Sequence, residues 1–135
     1  MAVESTFIMV KPDGVVRGLV GEVIGRLERK GLQLEAIRML RVGVDLATSH
    51  YAEHVDKPFF RELLSFITNG SVVAMRWSGE SAVEVARTLV GATDPKKAAP
   101  GTIRGDLALT ITHNLVHGSD APESAARELS LWFPS

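Results

Sequence analysis

Apolar residues fall along this chain in runs whose period changes several times, and each change marks an element. Thr6-Phe7-Ile8-Met9-Val10 is a continuous apolar run of strand formers. It predicts a buried first strand, which Lys11-Pro12-Asp13-Gly14 ends with turn residues. From Val20 the period becomes helical. Val20, Val23, Ile24 and Leu27 share one face, Glu22 and Arg26 can pair one turn apart, and Gly31 supplies a stop, so a helix is expected over Val20 to Lys30. Leu32, Leu34 and Ala36 alternate as a strand before the phase slips at Ile37, Met39 and Leu40, the mark of a bulge near Ile37. Asp45 is placed to cap a short helix reaching His54, and Pro58 opens another whose face is Phe60, Leu63, Leu64 and Ile67, closed by Asn69-Gly70. Ser71 to Trp77 reads as a third strand, and Ser81-Ala82-Val83-Glu84 as a capping box for a helix that Gly91 ends. Residues 92–105 form a long loop, Leu107, Leu109 and Ile111 alternate as a fourth strand, and a last helix runs from about Pro122 to Leu131.

This order predicts an α+β fold of the ferredoxin-like, split β-α-β kind, a four-stranded antiparallel sheet with helices covering one face. A length of 135 residues suits a single domain over the whole chain. The formal net charge of -1 offers no broad attraction for nucleic acid or anionic membranes, so phosphate affinity has to come from local groups. Without cysteine there is no disulfide framework, thiolate metal site or cysteine nucleophile, which fits a reducing cytosol. The first apolar run is interrupted at Lys11 and is too short for a signal peptide or membrane span, so a cytoplasmic protein is expected.

The most informative segment is Asn114-Leu115-Val116-His117-Gly118-Ser119-Asp120. A neutral imidazole, with an ordinary pKa of about 6.5, offers an unprotonated nitrogen near neutral pH and can act as a nucleophile. Asp120, Pro122 and Glu123 read as N-cap, early helical proline and first-turn carboxylate, so His117 sits just before a helix start. Ser119 lacks a glycine-flanked elbow and is read as part of that start. Lys11, Arg87 and Arg104 lie near glycine, proline or threonine in segments read as irregular, and together they could hold a polyphosphate. Taken singly, each reads more readily as a solvated surface charge, and it is their joint placement that weakens that reading. Among the aromatics Tyr51, Phe59 and Phe60, Phe60 falls on the apolar stripe, leaving Phe59 as the better exposed candidate for stacking on a base. Glu128 could reach back to orient His117, although a solvated helix carboxylate is the ordinary reading. His50 with His54 and His113 with His117 are spaced four apart, but without an HExxH pattern they are read as non-metal residues, the first pair on a helix surface.

These motifs, in this order from about Thr6 to Phe133, closely resemble those of nucleoside diphosphate kinases. The resemblance is carried by Lys11-Pro12-Asp13-Gly14, Arg17 to Glu22, Tyr51 with Glu53-His54, Lys57-Pro58-Phe59-Phe60, Pro100 to Asp106, and Asn114 to Asp120 with Glu123-Ser124-Ala125. It implies a ping-pong transfer of the γ-phosphoryl of a nucleoside triphosphate, mainly ATP, to a nucleoside diphosphate through phosphohistidine on the δ nitrogen of His117, maintaining nucleotide pools. By matching position, Lys11 and Asn114 would contact the sugar 3′-hydroxyl, and Lys11 the transferred group as well. Arg87, Thr93 and Arg104 would bind phosphates, and Phe59 would stack on the base. Tyr51 would lie beside the histidine, and Glu128, supported by Ser119, would orient its other nitrogen. Mg2+ would arrive bridging the nucleotide phosphates. The family assembles as tetramers or hexamers, and a hexamer is favoured here. Departures include Asn69-Gly70-Ser71, Val16, Leu107 and the stop at Ser135, none at an implied catalytic position. Two rival classes are a nucleotide-binding module without turnover, which the intact His117, Lys11, Arg104 and Asn114 disfavour, and a nucleic-acid-binding protein, which the near-neutral charge disfavours.

Overall fold

The first strand is apolar at every position from Phe7 to Val10, and a strand patterned this way has to be covered on both faces. In the computed structural model, which describes residues 3–134, it is. The elements are β1 (Val3–Val10), α1 (Pro12–Val16), α2 (Val20–Lys30), β2 (Gln33–Arg41), α3 (Val44–His50), a 3-10 turn (Ala52–His54), α4 (Phe60–Thr68), β3 (Ser71–Glu80), α5 (Ala82–Val90), α6 (Ile103–Leu107), β4 (Val116–Gly118) and α7 (Pro122–Trp132). The strands form one antiparallel sheet in the order β2-β3-β1-β4, the ferredoxin-like α+β arrangement expected. Ile8 and Val10 face a core built with Val23 and Leu27 of α2 and Ala82, Ala86 and Val90 of α5. Phe7 and Met9 face a second core with Ala47, Ile67, Leu129 and Trp132 from α3, α4 and α7. Helices therefore cover both faces, a correction to the one-sided sheet drawn from element order.

Other expectations shift for identifiable reasons. The alternation of Leu107, Leu109 and Ile111 is not a strand. It crosses the end of α6 into a loop where Leu109 and Ile111 are exposed, and the fourth strand is the three-residue β4 that contains His117. Alternation predicts a strand only where one side has something to bury against. The Lys11–Gly14 segment forms α1 rather than a plain turn, because Pro12 at its first position is preset for a helix. Gly43, not Asp45, is the N-cap of α3, which ends at His50, and α4 begins at Phe60, two residues after Pro58. Ser81 takes a left-handed conformation and caps nothing with its side chain. Glu4 of β1 instead accepts the Val83 N–H at 3.0 Å. Ala121 is the N-cap of α7, and Asp120 acts one step removed, accepting from the Ser124 hydroxyl at 2.7 Å while that oxygen accepts the Ala121 N–H at 3.0 Å. The helix α2 and its left-handed Gly31 stop match expectation, and the β2 irregularity falls between Leu34 and Ala36, just ahead of the slip expected near Ile37.

His50 is the largest departure among the histidines. It is 3% exposed, not on a helix surface, and its Nδ1 accepts a hydrogen bond from Trp132 Nε1 at 3.1 Å. Burial first, then the neighbouring His117, Arg127 and Lys11 charges, hold its pKa down at about 3 against an opposing pull from Glu128. The unfolded chain takes up this proton near pH 6.5, so the contribution of neutral His50 is complete above that value and is lost as pH falls toward about 3. Between pH 7 and pH 5 the loss is about 2 kcal/mol from the linkage relation. Urea unfolding at the two pH values should show that His50→Phe shrinks the pH-dependent drop by that amount, whatever it does to absolute stability. An unchanged drop would mean that His50 is protonated in the folded protein.

Candidate functional site

Strand register decides where His117 points. It lies opposite Met9 in the β1–β4 pairing, so its ring emerges on the Phe7 and Met9 face, 5.8 Å from the Phe7 ring and 4.7 Å, edge-on, from that of His50. There it meets Glu128, which the helical phase of Ala125, Glu128, Leu129 and Trp132 turns inward from α7. Glu128 Oε1 lies 2.8 Å from His117 Nε2 and accepts the Ser119 hydroxyl at 2.6 Å. Burial would push this carboxyl up, but hydrogen bonding and charge from His117, then the Ser119 hydroxyl and His50, hold it below the usual carboxylate value. An ionised carboxylate only accepts, so Nε2 carries the hydrogen and a neutral ring has its lone pair on Nδ1. Arg127 donates to the Ser49 and His50 carbonyls at 3.0 and 3.1 Å, tying α7 to α3 and fixing the depth at which Glu128 stands.

The His117 ring lines a cleft of about 670 Å3, the size of a small-molecule site. Lys11, Tyr51, Phe59, Arg87, Thr93, Arg104, Asn114 and Glu128 line it too, so every site residue the resemblance implied lies here except Ser119, which stands behind Glu128. Arg87 projects from α5 and Arg104 from α6, helices rather than irregular segments. Phe59 is 45% exposed at the mouth whereas Phe60 packs against the second core. Tyr51 is buried beside His50, and burial followed by the Glu128 charge pushes its hydroxyl up to about 12, so it remains a protonated donor. Asn114 receives Lys11 Nζ at 2.9 Å on its side-chain oxygen and donates to the Thr93 carbonyl at 3.1 Å.

The cationic wall is strained electrostatically. Burial, then Arg104, lowers Lys11 to about 8 against the opposing charge of Asp13, and burial, then Arg87, lowers Arg104 to about 10. Arg104 also donates to the carbonyls of Asn114, Gly91 and Val116, so it shapes the wall as well as charging it. Arg87 is exposed and makes no ion pair among the described residues. An anion entering this wall relieves like-charge repulsion, which suits a polyphosphate.

His50, His117 and Glu128 bring three potential metal-ligand atoms within 4.8 Å of one another. One nitrogen of each histidine and one Glu128 oxygen are already hydrogen-bonded: His50 Nδ1 with Trp132, His117 Nε2 with Glu128 Oε1, and that oxygen also with Ser119. A hard divalent cation prefers an oxygen shell, so phosphate oxygens suit it better than this trio. Sequence reasoning missed His50, and the signal was available: with Ala47 and Tyr51 it falls at the i, i+3, i+4 spacing of a buried stripe.

Residues 4–135 match the profile of the nucleoside diphosphate kinase family. A nucleoside diphosphate kinase of Frankia casuarinae is 62% identical over 134 residues, covering 99% of this chain and 98% of that protein. One of Archaeoglobus fulgidus is 62% identical over 130 residues, covering 96% of this chain and 86% of that protein. The structure superposes on a Halobacterium salinarum nucleoside diphosphate kinase in complex with CDP with a TM-score of 0.96 at 52% identity, covering 99% of this chain and 90% of that one. Profile, full-length identity and superposition agree: the chain belongs to the nucleoside diphosphate kinase family and is a nucleotide-binding phosphotransferase.

Proposed function

We propose that His117 Nδ1 is the nucleophile of a two-step transfer, and the observation that carries this is the Ser119–Glu128–His117 chain, which holds the ring hydrogen on Nε2. In the first step Nδ1 attacks the γ-phosphorus of a nucleoside triphosphate, ATP above all. The N–P bond forms as the bond to the bridging oxygen breaks, and the diphosphate leaves. In the second, the terminal oxygen of another nucleoside diphosphate attacks phosphohistidine and the nitrogen leaves. Lys11, Arg87, Thr93 and Arg104 bind phosphate oxygens, with Lys11 closest to the group in flight. Lys11 and Asn114 hold the sugar 3′-hydroxyl, Tyr51 flanks the histidine, and Phe59 stacks on the base without reading its edge. Glu128 stabilises the ring as positive charge develops, and Ser119 keeps Glu128 aimed.

Mg2+ bound to the phosphates supplies charge neutralisation across the oxygens of the transferred group. The functional form in this proposal is a cytoplasmic homo-oligomer of one-domain chains, a hexamer rather than a tetramer, and the exposed Ile37 and Met39 on edge strand β2 support self-association. No described helix is long and apolar enough to cross a membrane.

Incubation with γ-labelled ATP and Mg2+ should place label on His117 of the unmodified protein, and a chelator should prevent it. His117→Ala should bind nucleotide yet take no label; retained transfer would assign the nucleophile elsewhere. Glu128→Gln should slow labelling by about 10- to 100-fold, because an amide no longer prefers the Nε2–H ring form. No labelling of the unmodified protein would favour a binding module without turnover.

A further inference from the structure

The residues assigned to the chemistry hang on one turn. The Val116 N–H donates to the Asn114 carbonyl at 2.8 Å, closing a three-residue turn whose centre, Leu115, has φ 72°. Leu115 is fully buried and is not glycine, so this left-handed conformation stores strain that something has to hold. Asn114 precedes the strained residue and His117 follows it by two, so relaxation at Leu115 would turn both side chains away from Lys11.

Three groups grip the turn. Lys11 N–H donates to the Leu115 carbonyl at 2.8 Å, and Arg104 donates to the carbonyls on either side. The Leu115 N–H is met by a side chain, Asp13 Oδ2, at 3.1 Å. Asp13 stands in the first turn of α1, between Pro12 and Gly14. A Cβ on Gly14 would lie 3.0 Å from the Leu115 carbonyl and 2.7 Å from Val10 Cγ1, so the backbone of α1 comes close only because glycine is there. The other carboxylate oxygen of Asp13 is buried with no hydrogen-bond partner among the described residues, a cost this side chain carries while it reaches the turn.

We propose that Asp13 is a positioning residue for phosphoryl transfer: its carboxylate, hydrogen-bonded to the Leu115 N–H, holds the left-handed turn that keeps Asn114 and His117 in register with Lys11. This rests on the assignment of His117 as nucleophile. It touches no reacting atom, so its removal affects the rate of transfer more than the binding of nucleotide.

The test compares single-turnover labelling by γ-labelled ATP in the unmodified protein, Asp13→Asn and Asp13→Ser. Asparagine keeps an oxygen acceptor at the same reach and removes the charge. Serine is tolerated in a first helical turn but falls short of the Leu115 amide. Serine should slow labelling by about tenfold or more with KM within about threefold, while asparagine restores most of the rate. Hydrogen exchange at the Leu115 amide should quicken in the serine variant alone. The proposal is overturned if serine leaves the rate within about threefold, if asparagine is as slow as serine, or if loss of rate comes with equal loss of binding and of thermal stability. If the unmodified protein takes no label on His117, the nucleophile assignment fails, and the amide exchange still reports whether Asp13 holds the turn.

Discussion

A buried carboxylate that stays ionised is the constraint on which this site depends. Glu128 is 5% exposed, and burying a carboxylate is unfavourable unless its oxygens are satisfied. Here the Ser119 hydroxyl and the His117 Nε2 hydrogen satisfy one oxygen, while Arg127 lies 3.9 Å from the other. The same interactions that make the buried charge tolerable decide which nitrogen of His117 carries hydrogen, so one energetic requirement of folding fixes the chemical state of the ring. Nothing comparable acts on His50, whose ring receives its one hydrogen bond among the described residues from a donor, and burial leaves it neutral. Two histidines with ring centres 4.7 Å apart are thereby given different roles by their partners.

The sheet supplies the rigidity this requires. β4 is only three residues long and pairs with β1 alone, yet β1 is buried on both faces and paired on both edges. Although β4 is a short edge strand, the pairing of His117 with the central Met9 lets it share the stiffness of the core. Helix α7 closes the arrangement from above, with Trp132 stacked 5.3 Å from Phe7 and hydrogen-bonded to His50. The loop side of the cleft is held differently, by Arg104 bridging α6 to the carbonyls of Gly91, Asn114 and Val116.

Much of this was legible in the residues. Strands β1 and β3, helix α2 with its Gly31 stop, the β2 irregularity and the exposure of Phe59 against the burial of Phe60 all follow from periodicity and turn chemistry. What periodicity misread has a common cause: it reports which residues could be buried, not what is available to bury them. Leu107, Leu109 and Ile111 alternate without a partner sheet edge, while Val116–Gly118 pairs although it is too short to show any period. Periodicity and polarity alone favour a solvated surface position for His50 and for Glu128, whose orienting role rests on the resemblance, yet both occupy inward positions of apolar helical stripes. A polar residue at an apolar phase is itself a signal, since it is retained there only if a partner meets it. The partners, Ser119 with His117 and Trp132, lie 9, 11 and 82 residues away, separations that no local pattern encodes. The residues to which the resemblance gives roles all line one cleft apart from Ser119, but the resemblance does not reveal that Arg104 is largely committed to the backbone.

The cation wall shows why such a site is best understood with its ligand in mind. Lys11 and Arg104 are each lowered by burial and by a neighbouring cation, and Asp13 is the one anion that opposes this at Lys11. Left alone, the wall is less stable than the same side chains in water. Under the proposed function a polyphosphate would remove that penalty by contributing the missing negative charge, so part of its affinity would derive from repulsion the fold has built in. The repulsion is unevenly placed: Arg87 is exposed and makes no ion pair among the described residues, Arg104 is pinned to three carbonyls, and Lys11 is pinned to Asn114. In the proposed reaction, phosphates would meet an exposed cation at the rim before the backbone-held ones at the floor. That order suits a reaction in which the terminal phosphorus, not the whole nucleotide, has to be placed to within a fraction of an ångström.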